Sequence, residues 1–135
     1  MEKEIEYTIS GELLPGELGE LLNSVFSSNF TPSELYSIIH GSTDYVTARH
    51  GADLVGFGRL LSDGATIAYI NYMAVTPRFQ NQGIGQQILK LLVKAAGTLH
   101  SIFLYTNTAD SLYLRNGFQL SEKRLYVMHN PATGK

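Results

Sequence analysis

The sequence predicts an α+β fold, a mixed, mostly antiparallel central sheet flanked by helices. Three observations carry that expectation. Residues 45–75 read as three strands joined by tight turns, an antiparallel meander. The strongest helical pattern in the chain follows, with Ile84, Ile88, Leu91, Leu92 and Ala95 on one face and Gln86, Gln87, Lys90 and Lys94 on the other. A buried strand returns at residues 101–105, and a strand, a helix and a strand in succession make a crossover between parallel neighbours.

The remaining elements follow in chain order. Ile5, Tyr7 and Ile9 alternate with Glu6 and Thr8, which is a short, half-buried first strand. After Pro15, the residues Leu18, Leu21, Leu22, Val25 and Phe26 fall on one helical face. Thr31-Pro32-Ser33-Glu34 supplies a capping hydroxyl, a proline at the first helical position and a glutamate at the third, so a second helix starts there and runs through Ile39. The meander divides into strands at 45–49, 54–61 and 66–75, with turns at 51–53 and at Asp63-Gly64. Gly97 ends the long helix, residues 109–116 form a short one closed by Gly117, and a final pair of strands runs from Phe118 to near Met128.

At 135 residues, 44% hydrophobic and 16% charged, with no repeat or linker, the chain reads as one domain, 1–135, with 130–135 as a flexible tail. Such a domain hides about two thirds of its unfolded surface and needs neither disulfide nor structural metal. The lack of cysteine removes thiol nucleophiles and thiolate metal sites. His40, His50, His100 and His129 show no ligand spacing, so no metal is expected. A net charge of −2 without a local Lys/Arg run leaves no footprint for nucleic acid. The charged start Met1-Glu2-Lys3-Glu4, and the absence of any apolar run of about 18 residues, make a cytoplasmic protein without a membrane span the expectation.

The chemistry concentrates where a strand meets the long helix, at Val75-Thr76-Pro77-Arg78-Phe79-Gln80-Asn81-Gln82-Gly83-Ile84-Gly85-Gln86. Bare backbone at Gly83 and Gly85 lets the N–H groups of the loop and first helical turn approach an anion, and the helix dipole favours negative charge there. A diphosphate fits such a nest. The pair could equally do no more than shape a tight turn. A P-loop needs Lys and then Ser/Thr after its last glycine, whereas Gln86-Gln87 follow Gly85; a Rossmann fingerprint needs a third glycine where Ile88 stands.

The run Val75-x-Pro77-x-x-Gln80-x-x-Gly83-x-Gly85 resembles the acetyl-CoA pyrophosphate loop of the GNAT N-acetyltransferase superfamily. Further on, Tyr113-Leu114-Arg115-Asn116-Gly117-Phe118 resembles that family's second signature, and the resemblance in element order covers residues 5–129. It implies a GNAT-like sheet with an acetyl-CoA loop between strand four and the long helix. The implied activity is acetyl-CoA-dependent N-acetyl transfer directly to a primary amine of a small molecule, peptide or protein, without an acetyl-cysteine intermediate because the chain has no cysteine. By the same resemblance, the backbone of Gln80, Asn81, Gln82, Gly83, Ile84, Gly85 and Gln86 cradles the CoA diphosphate. Met73, Ala74 and Val75 pair with the pantetheine arm like an added strand. The Met73 amide points at the thioester oxygen, where amine attack places negative charge. Members often dimerise, so a homodimer is among the expected partners.

Tyr113 stands where the family protonates the departing CoA thiolate; a phenol with a pKa near 10 beside a thiol near 8.5 is a modest acid, and the alternative is a packing role on a short helix. Several members carry a glutamate on the fourth strand where this chain has Tyr69, a poor base at neutral pH. Proton removal is then expected either through a water held by Tyr69 and Asn71, which alternation places on one face with Met73, or through a residue that the sequence does not identify. The family asparagine that meets the pantetheine falls at Thr106, with Asn107 one residue on as the candidate contact.

Arg78 and Lys90 flank the loop, either as contacts to the adenosine phosphates of CoA or as ordinary exposed cations. Gly56 and Gly58 bare one face of the third strand, either for a ligand or for close helix packing. Tyr36, Tyr45, Tyr69 and Tyr72 read either as lining for an acceptor pocket, with the segment from Phe26 to Thr31 beside it, or as half-buried strand residues. A different class of answer, a non-catalytic acyl-CoA-binding sensor or partner module, is kept open by the missing carboxylate base.

Overall fold

A computed structural model describes residues 4–130. Strands β1 (Ile5–Ile9), β2 (Asp44–His50), β3 (Asp53–Ser62), β4 (Ile67–Val75) and β5 (Ser101–Phe103) form one sheet in that spatial order. The first four pair antiparallel, and β5 runs parallel to β4 after the crossover through the long helix. Helices α1 (Pro15–Phe26), α2 (Pro32–His40), α3 (Ile84–Ala96) and α4 (Asp110–Arg115) complete the chain order expected from the pattern.

Strand alternation divides the core in two. Leu18, Leu21 and Leu22 of α1 with Leu35, Ile38 and Ile39 of α2 pack on Tyr45, Phe57 and Ala74, whereas Ile84, Ile88, Leu89 and Leu92 of α3 pack on Val46, Ala48, Leu60, Ala68 and Ile70. Neighbouring residues such as Tyr45 and Val46 point to opposite faces, so α1 and α2 cover one side and α3 the other. Gly58 serves packing: a Cβ there would lie 2.6 Å from Met73 Sδ and 2.8 Å from Ile88 Cγ2. Its bare backbone lets α3 approach the sheet.

Local chemistry sets the element ends. The Thr31 hydroxyl accepts from the Glu34 amide at 3.1 Å while the Glu34 carboxylate accepts from the Thr31 amide at 2.9 Å, the capping box that the sequence predicts. Gly64, at φ +78°, turns the β3–β4 hairpin, and Asp63 Oδ1 accepts from the amides of Ala65 and Thr66. No helix among the described residues is long and apolar enough to cross a membrane.

The expectation at the C-terminal end is corrected. Residues 118–130 contain no strand, and β5 stops at Phe103 instead of residue 105. A hairpin has little stability without a neighbouring strand or helix to cover it, and β5 offers only a three-residue edge. Phe118 packs back, edge-on to Tyr113 at 5.8 Å, while Leu120 and Met128 lie exposed. Of the expected tail at 130–135, residues 131–135 lie outside the described residues.

Candidate active site

A bulge in β4 shapes the site. Arg59 pairs with Asn71 and Phe57 with Ala74, so Gly58 alone stands opposite both Tyr72 and Met73. Tyr72 takes up the extra residue with a left-handed φ of +52°, a strained conformation for an aromatic side chain. The bulge also reverses the alternation. Tyr72 joins the α1/α2 core and Met73 the α3 core, so Met73 does not share a face with Tyr69 and Asn71 as simple period-2 counting requires.

Beyond this point β4 parts from β5. Their pairing ends at Tyr69 and Phe103, while β4 continues to Val75, so the β5-side edge of Ile70–Val75 carries no strand. Met73, Ala74 and Val75 lie on this unpaired stretch. Tyr69 stands at the fork, its ring stacked on Phe103 at 5.0 Å and on Tyr105 at 5.9 Å. Burial, with a hydrogen bond to Tyr105, pushes the Tyr69 phenol well above its ordinary pKa, so the hydroxyl stays protonated.

The strand then runs into the glycine loop. A 3-10 turn, Pro77–Phe79, leads to Gln80, whose side-chain amide donates to the Val75 carbonyl at 2.9 Å and braces the loop against the strand end. Asn81 and Gly83 both have positive φ, +64° and +85°, which curls the backbone inward on itself. Gly83 is the N-cap of α3 and offers no side chain to cap the helix. Among the described residues no acceptor meets the amides of Gly83, Ile84, Gly85 or Gln86. A Cβ on Gly83 would meet nothing within 4 Å, and one on Gly85 only ordinary contacts with Leu112 and Val75, at 3.8 and 3.9 Å. Protein packing therefore does not demand glycine at 85; bare backbone there leaves the first turn of α3 open to solvent.

α4 closes the other side. Asn116 Nδ2 donates to the Leu112 carbonyl at 2.7 Å and to Gln86 Oε1 at 3.4 Å. Tyr113 is buried in the α3-side core, and burial raises its phenol above the ordinary value. It lines a cavity of about 740 Å³ between β5, α4 and the segment after it, together with Ile102, Leu104 and Thr106. The Thr106 hydroxyl accepts from the Ala109 amide at 3.1 Å, so that side chain starts α4, and Asn107 is exposed beside it. Arg78 leans on Asp53 at 3.6 Å, both side chains exposed, and Lys90 lies on the outer face of α3.

Sequence reasoning did not single out Arg59 or Tyr105, and it reached Phe30 only as part of the segment from Phe26 to Thr31. Arg59 Nε donates to Asn71 Oδ1 at 2.8 Å, its guanidinium lies 4.8 Å from the Tyr72 ring centre, and Phe30 meets Tyr72 edge-on at 5.7 Å. For Arg59 the signal was present as a lone cation inside the otherwise apolar run 54–61 of β3.

Residues 41–120 match a family model described as an acetyltransferase (GNAT) domain. Among solved structures, a Staphylococcus aureus protein of unknown function, termed a probable acetyltransferase, superposes with a TM-score of 0.81 at 22% identity over 93% of this chain and 100% of its own. A GNAT-family acetyltransferase from Streptococcus pneumoniae gives 0.79 at 18% identity over 94% and 100%. A ribosomal-protein-alanine N-acetyltransferase from Brucella melitensis gives 0.72 at 14% identity over 94% and 99%. At these identities the likeness is one of fold. No curated protein matches the sequence significantly.

Proposed function

The chain belongs to the GNAT acetyltransferase family, and from that premise we propose that it transfers the acetyl group of acetyl-CoA directly to an amine. The observation that carries this reading is the unpaired edge of β4, which runs from the bulge at Tyr72 straight into the uncapped, glycine-bared N-terminus of α3. An extended pantetheine arm matches such an edge, and a diphosphate matches such amides. Gln80 to Gln86 would hold the diphosphate, and Met73, Ala74 and Val75 the arm.

The residues then divide the chemistry. The Met73 amide, fixed by the bulge, would stabilise the charge that develops on the thioester oxygen during amine attack; an oxyanion donor of this kind is worth about 3–4 kcal/mol. Tyr113 would donate its phenolic proton to the departing thiolate; burial raises its pKa, which leaves the phenol protonated at neutral pH but a weaker acid than a free one. No carboxylate stands among Tyr69, Asn71 and Tyr72 at the bulge, so the amine would lose its proton to water that Tyr69 and Asn71 position.

That missing carboxylate also favours a second reading, a non-catalytic acyl-CoA sensor, which binds the ligand without turnover. Amine-dependent release of CoA thiol separates the two.

A further inference from the structure

Arg59 is the single Lys or Arg in α1, the loop 27–31, α2, β3 and β4; β2, which also contributes to the α1/α2 face through Tyr45, adds Arg49. The chain's neighbouring cations are paired. Arg49 makes a two-pronged contact with the Glu17 carboxylate, at 2.9 and 2.7 Å, and Arg78 leans on Asp53. Among the described residues no carboxylate pairs with Arg59, although it is half-buried. Its only hydrogen-bond partner there is neutral, Asn71, through Nε. Drawing a guanidinium partly out of water without a counter-charge is unfavourable, and the surroundings hold it there nonetheless, stacked at Tyr72, which Phe30 in turn buttresses.

The contact with Asn71 fixes one edge of the guanidinium and leaves the two terminal nitrogens, a parallel pair of N–H donors. That pair has the spacing and planarity of a carboxylate. A phosphate monoester, near two negative charges, would meet only this one cation free of a carboxylate partner on the face, since Arg49 is engaged by Glu17. Resting on the reading that acetyl transfer takes place at the bulge, we propose that the acceptor is an amine that also carries a carboxylate, and that Arg59 binds that carboxylate. Asn71 and Tyr72, adjacent to the bulge, position the guanidinium, so the anionic end of the acceptor would be anchored beside the carbon that undergoes attack.

The test uses amino acids and their carboxamides as matched pairs, from glycine through 4-aminobutanoate to phenylalanine, with acetyl-CoA and the full chain. For each pair kcat/KM is measured for the wild type, Arg59→Gln and Arg59→Lys. Comparing the acid-to-amide ratio between proteins cancels the intrinsic difference in amine basicity within a pair. The ratio for at least one pair is expected to fall roughly ten- to a hundredfold in Arg59→Gln, mainly through the KM of the acid, with a partial loss in Arg59→Lys, which keeps charge but not the two-pronged geometry. If Arg59→Gln does not fold, Arg59→Lys alone decides the matter by the same ratio. An unchanged ratio, or a wild type that acetylates amides and neutral amines but no acid, overturns the proposal. Turnover tells the two failures apart: if no amine in the set is acetylated, whether or not calorimetry shows acetyl-CoA bound, the functional reading and the proposal fall together, whereas acetylation of neutral amines or amides without acid preference takes down the proposal alone.

Discussion

Asn116 of α4 donates its side-chain amide to the Oε1 of Gln86 in the first turn of α3, 3.4 Å away and 30 residues apart in sequence. Beside it, Leu112 approaches the bare Gly85 backbone. The two stretches that resemble GNAT signatures therefore form one wall, and Gly85 lies on its inner surface.

Gly85→Ala and Gly85→Glu test that wall. An added Cβ makes only ordinary contacts, and alanine exceeds glycine in helix propensity by up to about 1 kcal/mol, so Gly85→Ala is expected to fold at least as well as the wild type. Acetyl-CoA affinity is expected to drop about tenfold in Gly85→Ala and below detection in Gly85→Glu, which adds a charge that repels the diphosphate. Isothermal calorimetry reads both. Gly83 is the poorer test, because its φ of +85° strains any side chain regardless of ligand.

The β-meander, α3 and the capping box at Thr31 were legible in the sequence because each rests on local periodicity or cap chemistry within a few residues. The bulge was not, since Tyr72 carries none of the Gly or Asn signals for a positive φ, and it reversed the placement of Met73. The final strands failed for a related reason: alternation after Phe118 shows what a strand would look like, but not whether β5 is long enough to pair with it. Arg59 was visible as a lone cation, yet only its contacts with Asn71 and Tyr72 give it a place.

Glu17 ties the start of α1 to β2. Its carboxylate accepts from Arg49 and from the Leu14 amide, and the Arg49 hydrogen bond, ahead of the other causes, holds its pKa below the ordinary carboxylate value. A group depressed in the folded state stabilises above its unfolded pKa, about 4.3 for glutamate, and loses that contribution as pH falls through the folded value. Glu17→Gln is therefore expected to cost on the order of 1–3 kcal/mol at pH 7. Urea titrations are expected to show the gap narrowing below about pH 4. A gap that persists unchanged to pH 3 would contradict this assignment.

Tyr69 is raised by burial and by Tyr105, and so remains a neutral phenol across the ordinary assay range. Tyr69→Phe is expected to lower kcat by no more than about tenfold, the effect of losing a water-positioning hydroxyl, without altering the shape of the pH–rate profile. In both proteins kcat/KM is expected to rise with pH as the acceptor amine loses its proton. A limb of the profile that vanishes in the variant would make Tyr69 the base itself.

For Tyr113, deleting only the hydroxyl in Tyr113→Phe separates proton donation from packing, because the ring keeps its edge-on contact with Phe118. Thermal melts are expected to overlay. Under conditions where chemistry limits the rate, kcat is expected to fall on the order of ten- to a thousandfold while acetyl-CoA affinity holds, and the deficit should shrink with a CoA analogue of more acidic thiol. Equal turnover would leave Tyr113 a core residue.

The most direct measurement follows CoA thiol release and N-acetyl product together, with the full chain, acetyl-CoA and a panel of polyamines, aromatic amines, amino acids, aminoglycosides and peptide N-termini. Direct transfer at the β4 bulge predicts that at least one amine raises thiol release well above the amine-free rate, with one acetylated amine formed per thiol. Tight acetyl-CoA binding with thiol release that no amine accelerates would contradict it, and would make the chain a sensor of the acyl-CoA it holds.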